Sequence, residues 1–289
     1  MSGKRTRLDR RAVELGLVSS RQEAQELIEA SMLLVNGAIA EKASRQVAPS
    51  DSIIVRARRK YVSRGGLKLD GALERFGLEV DGRRCLDVGC STGGFIHSLL
   101  THGAQEVVGV DVGRAQIHAQ IAGDPRVRIY ESTDIRHFSS TNEEADFALI
   151  TVDVSFISLR GLLDVLSGLL STNGDLVLLI KPQFEVGHKE ASAGEGIISD
   201  PALWRGALVG VLEASDRAEL GCHGIVPSPI RGTKGNVEFF AHLRHRRGAQ
   251  LWANEDRVIL IDKAIDEVEA VDEGDLNATG GPTDEPIEP

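Results

Sequence analysis

The sequence predicts an α/β protein: a doubly wound parallel sheet preceded by a small basic α+β unit. Three observations carry that reading. From about residue 84, apolar runs of strand length alternate with helical patterns, which is how strands and crossover helices of a parallel sheet are written. A glycine-rich loop, Asp87-Val88-Gly89-Cys90-Ser91-Thr92-Gly93-Gly94-Phe95, joins the first of those strands to the first helix. Charge is also segregated. Residues 1–70 hold 14 Lys and Arg against 8 Asp and Glu, and residues 251–289 hold 2 against 12.

The elements follow in order. Leu8, Val13, Leu15 and Leu17 mark a short first helix. Ser20 with Glu23 three residues on is a capping box opening a second, whose apolar face carries Ala24, Leu27 and Ile28. Asn36-Gly37 is a turn signal between two short apolar runs, and Ile53-Ile54-Val55 is another strand. These 55 residues form one compact unit. The run Arg56-Ala57-Arg58-Arg59-Lys60 lies in a basic linker over 56–62. Residues 63–248 form the larger domain. Its strands fall at 85–88, 106–112, 127–130, 145–152, 176–180, 222–226 and 237–243, with helices from Phe95, over Leu159–Leu170 and over Pro201–Ala214. Asp200 is placed to cap the last of these. Residues 249–289 read as an acidic, disordered tail, in which 257–270 has the pattern of a short amphipathic helix.

Of the 289 residues, 42% are hydrophobic and 26% charged, an ordinary globular balance. No uncharged apolar run reaches the ~18 residues of a membrane span, and no apolar stretch follows the N-terminal MSGKRTRLDRR as a secretory signal requires. Cys85, Cys90 and Cys222 form no C-x-x-C pair, which suggests a reducing, cytoplasmic setting. His97, His102, His118, His188 and His223 lack ligand spacing, so no metal is expected.

Chemistry concentrates at strand ends. In the glycine loop, Ser91 stands where a dinucleotide fingerprint has its middle glycine, and Gly93-Gly94 supplies a surplus one. That suits a carboxypropyl or adenosyl group better than a pyrophosphate. Asp111 ends the second strand, where an acid can accept from ribose hydroxyls, and Asp134 follows the third, within reach of an adenine amino group. Asp153 and Lys181 each follow a buried-type strand, at the carboxyl edge where such sheets bind ligands. Glu238 interrupts a strand-like run, and Lys68 sits just ahead of the domain, in Ser63-Arg64-Gly65-Gly66-Leu67-Lys68-Leu69.

The motifs SRGGLKL (63–69), DVGCSTGGF (87–95), DPRV (124–127), VDVSFISL (152–159), KPQFE (181–185) and RGTKGNVEFF (231–240) together resemble the TlyA family of ribosomal RNA 2′-O-methyltransferases, also called haemolysin A. The resemblance covers roughly residues 5–245. It implies a Rossmann-like S-adenosylmethionine-dependent methyltransferase domain of FtsJ type behind an RNA-binding fold named after ribosomal protein S4. The Lys-Asp-Lys-Glu tetrad of that type falls on Lys68, Asp153, Lys181 and Glu238. Asp87, Gly89, Ser91, Thr92, Gly93, Gly94, Phe95, Asp111 and Asp134 become the expected cofactor residues. Departures are Ser31 for a usual Gly, Cys90 for a usual Ala, Ile96-His97 for Thr and an acid, and Gly113-Arg114-Ala115 without a second glycine.

The implied reaction is attack of a ribose 2′-hydroxyl on the methyl group of S-adenosylmethionine. Lys181 is the expected base, active only when neutral, a form that burial and the nearby positive charge of Lys68 favour, with Asp153 and Glu238 orienting the two lysines and the ribose. Arg5, Arg7, Arg21, Arg58, Arg59, Lys60 and Arg64 are expected to grip phosphate, and Phe156 to stack on a displaced base. The partner is then ribosomal RNA, in one or both subunits. The haemolysin label would call for a membrane-active segment, which the sequence lacks. A non-catalytic ribosome-assembly factor would not need the complete tetrad.

Overall fold

The computed structural model describes residues 5–29, 31–55, 60–141, 146–187, 196–246 and 254–278. The chain divides into two units, Met1–Lys60 and Tyr61–Pro289.

The first unit contains β1 (Thr6–Arg7), α1 (Leu8–Glu14), α2 (Arg21–Glu29), β2 (Leu33–Val35), β3 (Ala38–Ile39), β4 (Gln46–Val47) and β5 (Ile53–Val55). Strand β1 pairs with β4, and a second sheet has the order β3-β2-β5. Leu8, Ala12, Ala24, Ile28, Leu33, Val35 and Val47 fill a core of their own. The expected cap is present with one change. The Glu23 N–H donates to Ser20 Oγ at 3.1 Å, but the Glu23 carboxylate accepts from Ser19, N–H and hydroxyl, rather than from Ser20. Asn36 and Gly37 both take positive φ, as a tight two-residue hairpin turn demands.

The second unit begins with a helix that the sequence reading lacks, α3 (Arg64–Phe76), which carries Lys68 on its buried side. Then come β6 (Arg84–Val88), α4 (Gly94–Thr101), β7 (Glu106–Val110), α5 (Ala119–Ala122), β8 (Val127–Tyr130), α6 (Ile135–Thr141) and β9 (Phe147–Val152). The helix expected over Leu159–Leu170 is broken into a 3-10 turn, Leu159–Gly161, and α7 (Leu163–Leu169). The chain continues through β10 (Leu170–Ile180), α8 (Pro182–Glu185), α9 (Pro201–Arg217), β11 (Leu220–Pro227), β12 (Phe239–His245) and α10 (Asn254–Ala278).

These strands form a seven-stranded sheet in the order β11-β12-β10-β9-β6-β7-β8. Side chains alternate between two cores. Leu86, Val108, Ile150 and Leu178 pack on one face with α6, α7, α9 and α10, while Cys85, Val107, Leu149 and Val177 pack on the other with α3, α4 and α5. Burial on both faces is why the strands read as continuous apolar runs. The sheet is parallel, as expected, except at one edge. Strand β12 is antiparallel to both β10 and β11. No crossover helix lies between Pro227 and Phe239, so β11 can only turn back on itself.

The tail is also corrected over 254–278. Ile261, Ala264, Ile265 and Val268 of α10 recur at helical spacing and are buried in the main core. Arg257 pairs with Asp216, Arg205 with Asp262, and Arg75 with Glu267 at 2.6 Å. Residues 279–289 lie outside the described residues. Because Ile265 is core rather than tail, Ile265→Ala should destabilise the protein by about 2–5 kcal/mol. A chemical-denaturation midpoint equal to wild type would return this stretch to the solvent.

Candidate active site

Strands β6, β7 and β9 end in register. Val88 lies beside Val110 on one side and Val152 on the other. The residues that follow, Gly89, Asp111 and Asp153, therefore stand in a row along the carboxyl edge, where the strand order reverses and a cleft opens. Strand β10 runs two residues further, past the pairing of Leu178 with Val152, and delivers Lys181. Strand β12 starts at the same edge because it runs the other way. Phe239 pairs with Ile180, which sets Glu238 beside Lys181.

Four ionisable side chains meet here as two pairs. Lys181 Nζ lies 2.6 Å from Asp153 Oδ1 and donates to Ser155 Oγ at 3.0 Å. Lys68 Nζ, from α3, donates to Glu238 Oε2 at 2.5 Å. Lys68, Lys181 and Glu238 are buried and Asp153 is half-buried. Charges so placed need partners, and each has one of opposite sign. Two glycines make the approach possible. A Cβ on Gly89, itself at φ +83°, would collide with the Asp153 carbonyl, and one on Gly232 would collide with the Glu238 carboxylate.

Three connected cavities surround the pairs. The first is lined by Ser63, Arg64, Lys68, Asp87, Gly89, Ser91, Thr92, Gly94, Phe95 and Asp153. The second, of about 410 Å³, shares Gly89, Ser91 and Asp153 and adds Asp111, Val112, Asp134, Ile135 and Leu162. The third, of about 660 Å³, is reached past Ser155 and Phe156 and includes Lys181, Phe184, Lys234 and Glu238. Of the glycine-loop residues, Gly93 alone faces away, packed under Ile117 and Ile121. The Asp111 carboxylate accepts from Ser91 N–H at 2.8 Å and Gly113 N–H at 2.6 Å, which ties the glycine loop to the end of β7. Asp134 is engaged by Arg136 through two hydrogen bonds that, with the Arg136 backbone, hold its carboxyl down at about 2.

Asp87 lies at the base of the first cavity with no exposed surface. Thr151 Oγ1 donates to its Oδ1 at 2.9 Å, while Oδ2 is buried with no hydrogen-bond partner among the described residues. Burial, reinforced by the Asp153 and Asp111 charges and opposed by the Thr151 bond, pushes this carboxyl up to about 8. Burial likewise pushes up the neighbouring Cys90 thiol.

The residues expected to touch RNA come from both units. Arg7 and Arg21 both bond the buried Asp9, whose carboxyl they hold far below the usual range, yet their side chains are 44% and 63% exposed. Arg5 and Lys60 are exposed. Arg58 and Arg59 lie outside the described residues. Arg64 lines the first cavity and donates to the Arg231 carbonyl. Phe156 is 91% exposed, with its ring 5.1 Å from that of Phe184. Sequence reading missed Ser63, Ser155, Phe184 and Gly232. All lie inside the quoted motifs, but none has a side chain whose type alone announces a role. Among the described residues no cluster of His, Cys, Asp and Glu could hold a metal ion, and no helix is long and apolar enough to cross a membrane.

Residues 61–245 match the FtsJ-like methyltransferase family, and residues 6–53 match the S4 domain. The chain is 42% identical over 245 residues to the "16S/23S rRNA (cytidine-2'-O)-methyltransferase TlyA" of Mycobacterium tuberculosis, covering 83% of this chain and 90% of that one. It is 35% identical to the "23S rRNA (cytidine-2'-O)-methyltransferase TlyA" of Campylobacter jejuni, covering 76% and 92%. The solved structure of a "Putative hemolysin" from Streptococcus thermophilus superposes with a TM-score of 0.69 at 32% identity, covering 93% of this chain and 99% of that one.

Asp87 makes stability depend on pH. Its carboxyl is raised in the fold, so between about pH 4 and 8 the folded state keeps a proton that the unfolded chain has lost, and stability falls as pH rises through that window. Asp87→Asn should flatten the decline of the melting temperature between pH 5 and 8. An unchanged slope would place the buried proton on another group.

Proposed function

We infer the reaction from one premise: the chain belongs to the FtsJ-like methyltransferase family and bears an S4 domain at its N-terminus. The enzyme methylates ribosomal RNA on a ribose 2′-hydroxyl, with S-adenosylmethionine as donor and a cytidine as target. The observation that carries this reading is the meeting of Lys68–Glu238 and Lys181–Asp153, from four separate parts of the fold, beside a glycine-loop cavity.

The cavities suit that donor. Asp87 Oδ2 has no hydrogen-bond partner among the described residues, and a facing cation such as the ammonium of a methionine group would hold the carboxyl in its ionised form and pair with it. Asp111 stands at the strand end for ribose hydroxyls, with Gly89, Ser91, Thr92, Gly94 and Phe95 as the wall between. Val112, Ile135 and Leu162 give the second cavity apolar sides for a base, and Asp134 a polar rim. When bound, S-adenosylmethionine supplies a methyl group on a positively charged sulfur, already activated for transfer.

The chain's own task is to aim and deprotonate a hydroxyl. Lys181, held by Asp153 and Ser155, takes the proton as the oxygen attacks, and must be neutral at that moment. Lys68, held by Glu238, presents a positive charge to the oxygen as negative charge develops on it. Most of the advantage comes from alignment. Phe156 stacks on the extruded base. The head, over residues 1–55, and the basic linker, over 56–62, grip phosphates through Arg5, Arg7, Arg21, Arg58, Arg59 and Lys60, and Arg64 does so at the mouth of the 63–248 domain. That binding should weaken with salt. The protein works where ribosomes are, in the cytoplasm.

Methyl transfer from labelled S-adenosylmethionine to ribosomal subunits tests the reading. Lys181→Ala should lower kcat by about 10²–10⁴ with donor affinity within about twofold of wild type by calorimetry. Substantial turnover by that variant would remove Lys181 from the base role. Asp111→Ala should weaken donor binding by about one to two decades, the worth of a hydrogen bond to a charged group. An unaltered dissociation constant would place the ribose elsewhere.

A further inference from the structure

The motif Lys181-Pro182-Gln183-Phe184-Glu185 ends on a carboxylate that has no task in the reaction above. The Glu185 side chain is 1% exposed. A buried carboxylate is costly unless its oxygens are satisfied, and burial raises this one above the ordinary glutamate range. Among the described residues, all its partners come from one short stretch of loop. Ser158 Oγ donates to Oε2 at 2.6 Å, and Leu159 N–H donates to Oε1 at 2.7 Å. The Arg160 guanidinium lies 3.4 Å from Oε2 and donates to the Glu185 carbonyl at 3.1 Å. Three consecutive residues are thus fastened to one side chain and its backbone.

The loop in question joins β9 to the 3-10 turn at Leu159, and is fastened at both ends. At its front, Lys181 holds Asp153 and Ser155. At its rear, Glu185 holds Ser158, Leu159 and Arg160. Both anchors belong to one short segment stiffened by Pro182. Between them sits Phe156, with φ +63° and a ring 91% exposed. A phenylalanine with positive φ is held against its own preference, and burial does not do the holding. Arg160 is itself backed by packing: a Cβ on Gly210 of α9 would collide with its guanidinium.

We propose that Glu185 is a positioning residue, a clamp that keeps the 153–160 loop in the shape that presents Phe156 to the target base. It acts through Phe156 and touches no reacting atom. The proposal rests on the reading of the site as one that takes an extruded base.

Amide exchange and kinetics on the full-length enzyme test it together. Glu185→Ala should speed exchange at least about tenfold over residues 155–160 while leaving 147–152 of β9 unchanged. KM for ribosomal RNA should rise about tenfold, with donor affinity within about twofold of wild type. Glu185→Gln, which keeps the shape and one acceptor oxygen, should restore most of both. In a Phe156→Ala background, Glu185→Ala should change KM by less than about twofold. Should Glu185→Ala fail to fold, Ser158→Ala removes one fastening without leaving a hole, and should show the same two effects in smaller measure. Unchanged exchange over 155–160, or effects that multiply fully with Phe156→Ala, would overturn the clamp. If wild-type enzyme fails to methylate ribosomal RNA, the proposed function falls instead, and the exchange measurement still decides whether Glu185 holds the loop.

Discussion

Everything at the site depends on strand register at one edge of the sheet. Three parallel strands stop together, which lines up Gly89, Asp111 and Asp153, and a fourth overshoots by two residues to carry Lys181. The antiparallel β12 is the decisive departure. A parallel strand would deliver its first residue to the opposite edge of the sheet, far from Lys181. Because β12 runs back, Glu238 arrives where β10 ends, and Lys68 has a carboxylate to meet. Side-chain chemistry selects the groups; backbone direction brings them together.

Much of this was legible in the sequence. A polar residue directly after an apolar run of strand length is conspicuous, and Asp111, Asp153 and Lys181 all announce themselves so. The glycine loop does too, since a turn that lets backbone approach a ligand is written in glycine. Lys68 was less visible. Its helix, α3, carries Leu69, Ala72, Leu73 and Phe76 at helical spacing, but the two glycines at its start and the basic run before it read as linker, and the tetrad of the resembling family is the stronger guide. Glu238 reads as part of a strand, whereas it precedes one, because Val237 and Phe239 flank it with apolar bulk.

What the sequence concealed was pairing over distance. Phe156 and Phe184 are far apart in the chain and meet at 5.1 Å. Arg7 and Arg21 look like free surface cations, yet both are partly spent on Asp9. The helical pattern of 257–270 is legible in the acidic tail, but not that Ile261, Ala264, Ile265 and Val268 belong to the main core, because they are diluted among acids. Composition describes the solvent side of such a segment, and periodicity describes the inner side.

The pairing of β12 with β10 also limits how the chain can vary. Phe239 packs into one core and Phe240 into the other. A slip of a single residue would exchange those two rings between cores and carry the glutamate out of reach of its lysine in the same step. Insertions and deletions between Lys181 and Glu238 must therefore be absorbed entirely in connecting loops. A lineage could lengthen or trim those loops freely, but it could not lose the glutamate's position by strand slippage and keep a well-packed domain. Soluble expression of a loop-length variant would in that sense already report on the integrity of the edge where Lys68 meets Glu238.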